Sequence, residues 1–274
     1  MTLPVSIVVP LYKVEQYIAR CAESLLEQTY PDIEYIFVND GSPDCSREIL
    51  ADVVSRYPSR NVKIVDQPNA GSAQARRTGI GHCSGEYVLL VDSDDWLEAD
   101  AVEKLVAAAQ KSTADVVYYY AWKEYGGGRS RVITDARYSS AQAFAEAVFA
   151  HKAHAALWLK FMRVSLFTPE IFYPHYGVHD DMVMAVQLLD RAKSLYLLQE
   201  PLYHYRLDNP SSLMKKPRAL RRRDSLRNFL DLYAFYKDSL ETSPLRKIHK
   251  RLLRKARMWA LLYDRSAFKE YPFL

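Results

Sequence analysis

Five apolar residues in a row, Tyr87-Val88-Leu89-Leu90-Val91, constrain this 274-residue chain more than any other stretch. A strand with one wet face alternates apolar and polar residues. A strand without that alternation needs cover on both faces. Three strand-like segments precede it, at 5–9, 33–38 and 62–65. Between them lie stretches that read as helices, at 15–28, 44–57 and 71–81. A further helix over 98–110 and a strand over 114–120 continue the series. Repeated units of this length predict an α/β architecture: a Rossmann-like, mostly parallel central sheet flanked by helices. Ligands bind such sheets beyond the carboxyl ends of the strands. At two of those ends the chain turns acidic, at Asp40 and at Asp92-Ser93-Asp94.

The second half changes character. Gly126-Gly127-Gly128 reads as a turn, 139–150 and 181–189 as helices, and 195–198 as a short strand. From Pro217 the chain is basic and helix-prone, with Pro244 expected to divide two helices. Residues 215–257 hold 15 Lys or Arg against 4 Asp or Glu, while the whole chain carries only +4. The remainder is therefore acidic, and the tail has its own task. Three cysteines without metal spacing fit a reducing compartment. No leader is expected from the first residues, and no apolar run of about 18 residues offers a membrane span.

Five constellations carry candidate chemistry. In an extended segment Asp92 and Asp94 would point to one side and share a hard cation such as Mn²⁺ or Mg²⁺; the alternatives are a solvated turn or a helix cap. Asn39-Asp40-Gly41-Ser42 can accept hydrogen bonds from a ribose or base, or form an Asx turn. In 69–79, Gly71 and Ser72 can open a helix toward an anion, with Arg76 pairing to phosphate or carboxylate; an exposed basic face is the rival reading. His179-Asp180-Asp181 offers a helix cap or a general base. Tyr203-His204-Tyr205-Arg206 sets a cation among aromatics, to close over a diphosphate or to form an amphipathic strand with Tyr203 and Tyr205 on one face.

In order and spacing, PVSIVVPLYKVEQYI, VNDGSPD, NAGSAQARRTGI, GEYVLLVDSDDWL, HDD and PLYHYR resemble the family 2 glycosyltransferases with the GT-A fold, in particular the bacterial enzymes of surface-polysaccharide assembly. The resemblance covers roughly residues 3–213. It implies a GT-A domain over 1–213, with a nucleotide-sugar half (1–125) and an acceptor half (126–213), followed by a basic helical extension (214–274). It implies that Pro10, Tyr12 and Asp40 form a uridine pocket, and that Arg76, Ser93, Tyr205 and Arg206 also face the nucleotide sugar. Asp92 would contact the ribose and metal region, and Asp94 would be the main protein ligand of Mn²⁺ or Mg²⁺. Asp181 matches the catalytic acid residue, with Asp180 where the family usually has Glu. Lys160, in WLKFMR, resembles an acceptor-side segment. Arg77 stands where the family usually has Asn.

These implications amount to an inverting transfer from a UDP-sugar to the hydroxyl of a sugar or lipid-linked sugar acceptor, in the cytoplasm. The basic amphipathic stretch 245–262 would touch an anionic membrane from the inner face, or pack on the domain, or contact a second copy in a homodimer. A nucleotidyltransferase is disfavoured because Pro10-Leu11-Tyr12-Lys13 stands where a Gly-rich basic loop is needed. A non-catalytic module on an anionic surface is the other alternative. Nucleic acid is not an expected partner, since the tail aromatics follow helical spacing.

Overall fold

A computed structural model describes residues 2–210, 215, 217–236 and 246–272. The first half alternates as expected: β1 (Val5–Leu11), α1 (Ile18–Leu26), β2 (Ile33–Asn39), α2 (Ser46–Ser55), β3 (Asn61–Asp66), α3 (Ser72–Ile80) and β4 (Tyr87–Leu90). Then come β5 (Trp96–Leu97), α4 (Ala101–Ser112), β6 (Val116–Glu124), β7 (Ser130–Ile133) and α5 (Ala141–Phe149). The chain continues through β8 (Lys160–Arg163), α6 (Asp180–Arg191), β9 (Leu195–Arg206), α7 (Arg218–Tyr236), α8 (Arg246–Tyr263) and α9 (Ala267–Glu270).

The strands form one sheet in the order β3-β2-β1-β4-β8-β6-β9-β5, with β7 beside β6. β3, β2, β1 and β4 run parallel. All four residues of β4 are buried, so both faces are covered as the apolar run requires. Beyond β4 the expected parallel order stops. β8 enters antiparallel to both β4 and β6, while β9 pairs parallel with β6. Among the described residues the two kinds of ladder are equal in number, but the parallel ones are the longer, 26 residue pairs against 12, so the sheet is mostly parallel as expected, with its antiparallel entries confined to the strands beyond β4.

One core lies under α1, α2 and α4, and a second under α3, α5 and α6. Gly79 matters to the second. A Cβ there would collide with Val8 Cγ1 and come within 3.2 Å of Val38 Cγ2, so glycine lets α3 lie directly on β1 and β2. α7 joins the second core through Phe229 and Leu232, and packs on α8 through Leu226 and Leu230. Pro244, expected to separate the last helices, lies outside the described residues.

Candidate active site

The order β2-β1-β4 reverses direction along the sheet between β1 and β4, and the expected site residues gather beyond the carboxyl ends of these strands. Pro10 is half-buried in β1, and Tyr12, 42% exposed, follows it. Lys13 takes φ 55° and its backbone N–H donates to Ser42 Oγ at 2.7 Å, tying the β1 exit to the β2 exit. Asp40 is buried. Its Oδ1 accepts from Gln67 Nε2 (2.7 Å) and the Ala70 N–H (2.8 Å), and its Oδ2 from the Gly71 N–H (2.8 Å). Three of about four acceptor positions are thus used to set the loop that starts α3. Asp40 is first a builder of that loop, a role the sequence reading missed.

Residues 92–95 form a turn, closed by Asp95 N–H donating to the Asp92 carbonyl at 3.1 Å. The extended geometry assumed for the Asp92 and Asp94 pair is therefore not present. The turn exists because β9 grips it. Asp95, fully buried, accepts from Tyr203 Oη (2.7 Å) and the Arg206 N–H (2.7 Å), while Arg206 Nε donates to the Asp94 carbonyl (3.0 Å). Asp94 Oδ2 accepts from Asn209 Nδ2 (2.7 Å), and Asp92 Oδ1 from Arg76 Nη2 (2.7 Å). Burial first, and then the neighbouring carboxylates, push Asp95 well above the usual carboxylate range. Burial and then Asp92 also raise Asp94. Ser93 is buried and offers a ligand little.

Asp92 and Asp94 fit a hard divalent cation in donor chemistry, since each is a carboxylate with acceptor capacity left after its protein partner. Among the described residues no group of three His, Cys, Asp or Glu side chains is placed to hold a metal ion by itself, so a cation there needs oxygens from the substrate. Cations crowd the turn's outer side. The Arg206 guanidinium lies 5.0 Å from the Tyr17 ring centre and 5.1 Å from Trp96, and Arg20 lies 3.5 Å from Trp96. Tyr205 stacks on Trp158 at 5.1 Å beside Tyr203 on the same indole at 4.4 Å, which is the amphipathic-strand reading of that motif.

Arg76 occupies the centre. It is 5% exposed, so it is neither on an open basic face nor available to phosphate. α3 carries it between Asp92 (2.7 Å), Asp180 (3.0 Å) and Asp181 (3.1 Å). Asp180 also accepts from Ser72 Oγ at 2.6 Å. Neither acid caps α6. Both lie in its first turn, where the helix N-terminus favours negative charge. Burial drives Asp181 up to about 7, with Arg76 pulling it down and Asp180 and Asp92 adding to the rise. Its side chain keeps 22% exposure and is open to a proton donor. A half-buried carboxylate that burial raises toward neutrality suits general-base work.

Two supports of Asp181 come from far along the chain. Asn228 of α7, wholly buried, donates Nδ2 to the carbonyls of Tyr176 (2.6 Å) and Val178 (2.9 Å), and its Oδ1 accepts from the Tyr176 N–H (3.1 Å). Ser225 Oγ lies 2.6 Å from His179 Nδ1, and His179 takes φ 61° just before the acidic pair. On the other side the Leu157 N–H donates to Asp181 Oδ2 at 3.3 Å. Lys160 is not on an acceptor surface. Its ammonium is buried and donates to the carbonyls of His154 (3.0 Å) and Ala156 (2.7 Å), and burial lowers it to about 8. It braces the loop that leads to Leu157. Ser72, expected to open α3 toward an anion, instead donates to Asp180; Asn209, Ser225 and Asn228 were missed in the sequence because single polar residues carry no local signal.

Residues 6–164 match the family described as Glycosyl transferase family 2. Uncharacterized glycosyltransferase EpsJ of Bacillus subtilis (strain 168) is 33% identical over 221 residues, 78% of this chain and 63% of that protein. Glycosyltransferase GlyA of Streptococcus pneumoniae is 41% identical over 125 residues, 45% of this chain and 18% of that protein. The chain spans less than two thirds of the length of these curated relatives. Among solved structures, S. aureus TarS in complex with UDP-GlcNAc superposes with a TM-score of 0.73 at 19% identity, over 97% of this chain and 75% of that one. Mannosyltransferase PcManGT from Pyrobaculum calidifontis, in complex with GDP-Man and Mn²⁺, gives 0.62 at 17%, over 98% and 75%. These likenesses show that the fold is GT-A.

Proposed function

The chain belongs to the family 2 glycosyltransferases, and from that premise we propose that it moves a sugar from a UDP-sugar to an acceptor hydroxyl, with inversion, in building a bacterial surface polysaccharide. One observation carries the reading: a single guanidinium, Arg76, touches both the acidic turn after β4 and Asp181. Asp92 on the donor side and the candidate base are therefore held on one fixed side chain, as a transfer between two bound substrates needs.

Asp181 takes the proton from the acceptor hydroxyl as its oxygen attacks the anomeric carbon. The bond from that carbon to the diphosphate oxygen breaks and UDP departs. No covalent intermediate is required, so one carboxylate base suffices. Asp94, with Asp92, would hold Mn²⁺ or Mg²⁺, which neutralises charge on the departing diphosphate. Arg206, at the turn's outer side, adds a fixed cation. Pro10 and Tyr12 form the wall for the base, and Asp40 sets the loop beside it. TarS with UDP-GlcNAc supports the choice of UDP, and PcManGT with Mn²⁺ supports the cation. We assign 1–213 to the catalytic domain and 214–274 to the extension. A nucleotide-sugar donor and a lipid-linked sugar acceptor place the reaction in the cytoplasm, at the inner face of the membrane.

Calorimetry tests the donor half of the reading. UDP should bind more tightly with Mn²⁺ than with EDTA, and Asp94→Asn should weaken binding in Mn²⁺ but change little in EDTA. Equal wild-type affinity in the two conditions sinks the metal assignment.

A further inference from the structure

Eight large apolar side chains are exposed among the described residues, and six lie after residue 217: Leu220, Phe235, Met258, Leu261, Leu262 and Phe268. The most exposed are on α8, where Leu261 and Leu262 keep 57% and 63% of their area open. A soluble helix normally turns such residues inward. α8 has turned others inward. At about 100° per residue, Leu253, Ala256, Trp259, Ala260 and Tyr263 share one side, and all are buried or half-buried. Ala256 and Ala260 pack there on Leu226 and Leu230 of α7. Arg254, Arg257, Met258, Leu261 and Leu262 fall within an arc of about 140° on the opposite side, and all five are exposed.

The stripe of large apolar residues in this stretch is therefore divided. Alanines make the seat on α7, and the bulky aliphatics face outward among arginines. α8 itself carries no Asp or Glu over 246–263. Asp264 and Glu270 are held from the α7 side by Arg227, at 2.9 and 2.8 Å. Exposed Arg265 and Lys269 follow the helix.

We propose that this outer face of α8 docks the chain on an anionic lipid surface. The arginines meet headgroup phosphates, and Met258, Leu261 and Leu262 enter the boundary of the acyl region. Charge complementarity selects the occupant: cations interleaved with long aliphatics, on a helix whose own sequence has no acid, match an anionic interface rather than a protein core. The helix lies on the surface and does not cross it; among the described residues no helix is long and apolar enough to span. The inference goes beyond the transfer reaction and does not depend on the donor.

Vesicle flotation of the full chain, without nucleotide, tests it. The wild type should float with phosphatidylglycerol-containing vesicles at low salt and stay down with pure phosphatidylcholine. It should release near 0.5 M salt, where screening shortens the field to roughly 4 Å. Arg254→Gln with Arg257→Gln should weaken partition about 25-fold, roughly fivefold per cation lost. Leu261→Gln with Leu262→Gln should weaken it at least about tenfold. Arg131→Gln, an exposed cation on β7, should leave it unchanged. Circular dichroism keeps folding under control, since the altered side chains touch solvent. Three results overturn the proposal: no flotation of the wild type, equal flotation with neutral vesicles, or flotation indifferent to both α8 pairs. A dimer in sedimentation that the leucine pair dissolves, without vesicle binding, would assign the face to a second copy.

Discussion

Replacing Arg76 with Gln removes one charge from among three carboxylates and should move the pH at which the enzyme works. At an effective dielectric near 20, unit charges about 4 Å apart attract by ~4 kcal/mol, or roughly three pKa units. Arg76 stands 3.1 Å from Asp181, and water reaches 22% of that side chain, so part of the loss is screened. We take about one unit as the lower bound. Burial holds Asp181 near 7 with Arg76 in place, so about half is ionised at pH 7. Raised by one unit, about a tenth would be. Activity at pH 7 should fall about fivefold from titration alone, and should recover toward pH 9. The assay is kcat/KM against pH, which reports the free enzyme. The wild type should show an acid limb near pH 7, and Arg76→Gln a limb displaced upward by at least about one unit. Three carboxylates left without their cation also cost about 3–5 kcal/mol of stability, so rates are taken well below a melting temperature measured on the same sample. Arg76→Lys, which keeps the charge but not the fork, should shift the limb less. A folded Arg76→Gln enzyme whose limb coincides with that of the wild type would refute the reasoning.

Asp181→Asn should lower turnover by at least ~10² with UDP affinity near wild type; dead Asp180→Asn beside active Asp181→Asn would move the assignment by one residue. The same variant should be relatively more stable at higher pH. The folded carboxyl titrates near 7 and the unfolded one near 3.8, so the fold holds a proton the unfolded chain has lost across that window. Stability of the wild type therefore falls as pH rises through it. Melting curves at pH 4 and pH 8 check this, and an equal difference at both refutes it. Asn228→Ala should reduce kcat tenfold or more, as about 1 Å of displacement in the base costs up to ~10², while UDP affinity stays within about twofold; a parallel loss of both would make Asn228 merely structural. Gly79→Ala should cost about 1–3 kcal/mol, seen as a melting point several degrees lower, and an unchanged melting point would show that α3 can move off Val8 freely.

The first four strands and their helices were legible because each is long enough to show its period, and β4 announced its burial by five apolar residues. β5 and β8 were not. Two and four residues cannot display alternation, and their partners lie more than 40 residues away. β9 was read as four residues and has twelve, since Pro201 breaks the pattern where a register shift absorbs it. The acids at 40, 92, 94, 180 and 181 were visible as clusters, but their duties were not. Whether Arg76 faces water or three carboxylates depends on Asp92 and Asp180, 16 and 104 residues away. The motif around Lys160 pointed to an acceptor-side segment but not to the buried brace, because burial of its ammonium is decided by the carbonyls of His154 and Ala156.

The late entry of β8 has a consequence during synthesis. Until residues 160–163 leave the ribosome, β4 has a partner only on the β1 side. Its other edge is a flat apolar row of unpaired amides, the kind that captures foreign strands. At about 5–20 residues per second, the interval from residue 90 to residue 163 lasts roughly 4–15 seconds. A nascent chain stalled inside that interval has four ordered strands and an adhesive border. Rare codons or truncation between β4 and β8 should therefore yield aggregates, whereas a stop beyond β8 leaves that border closed.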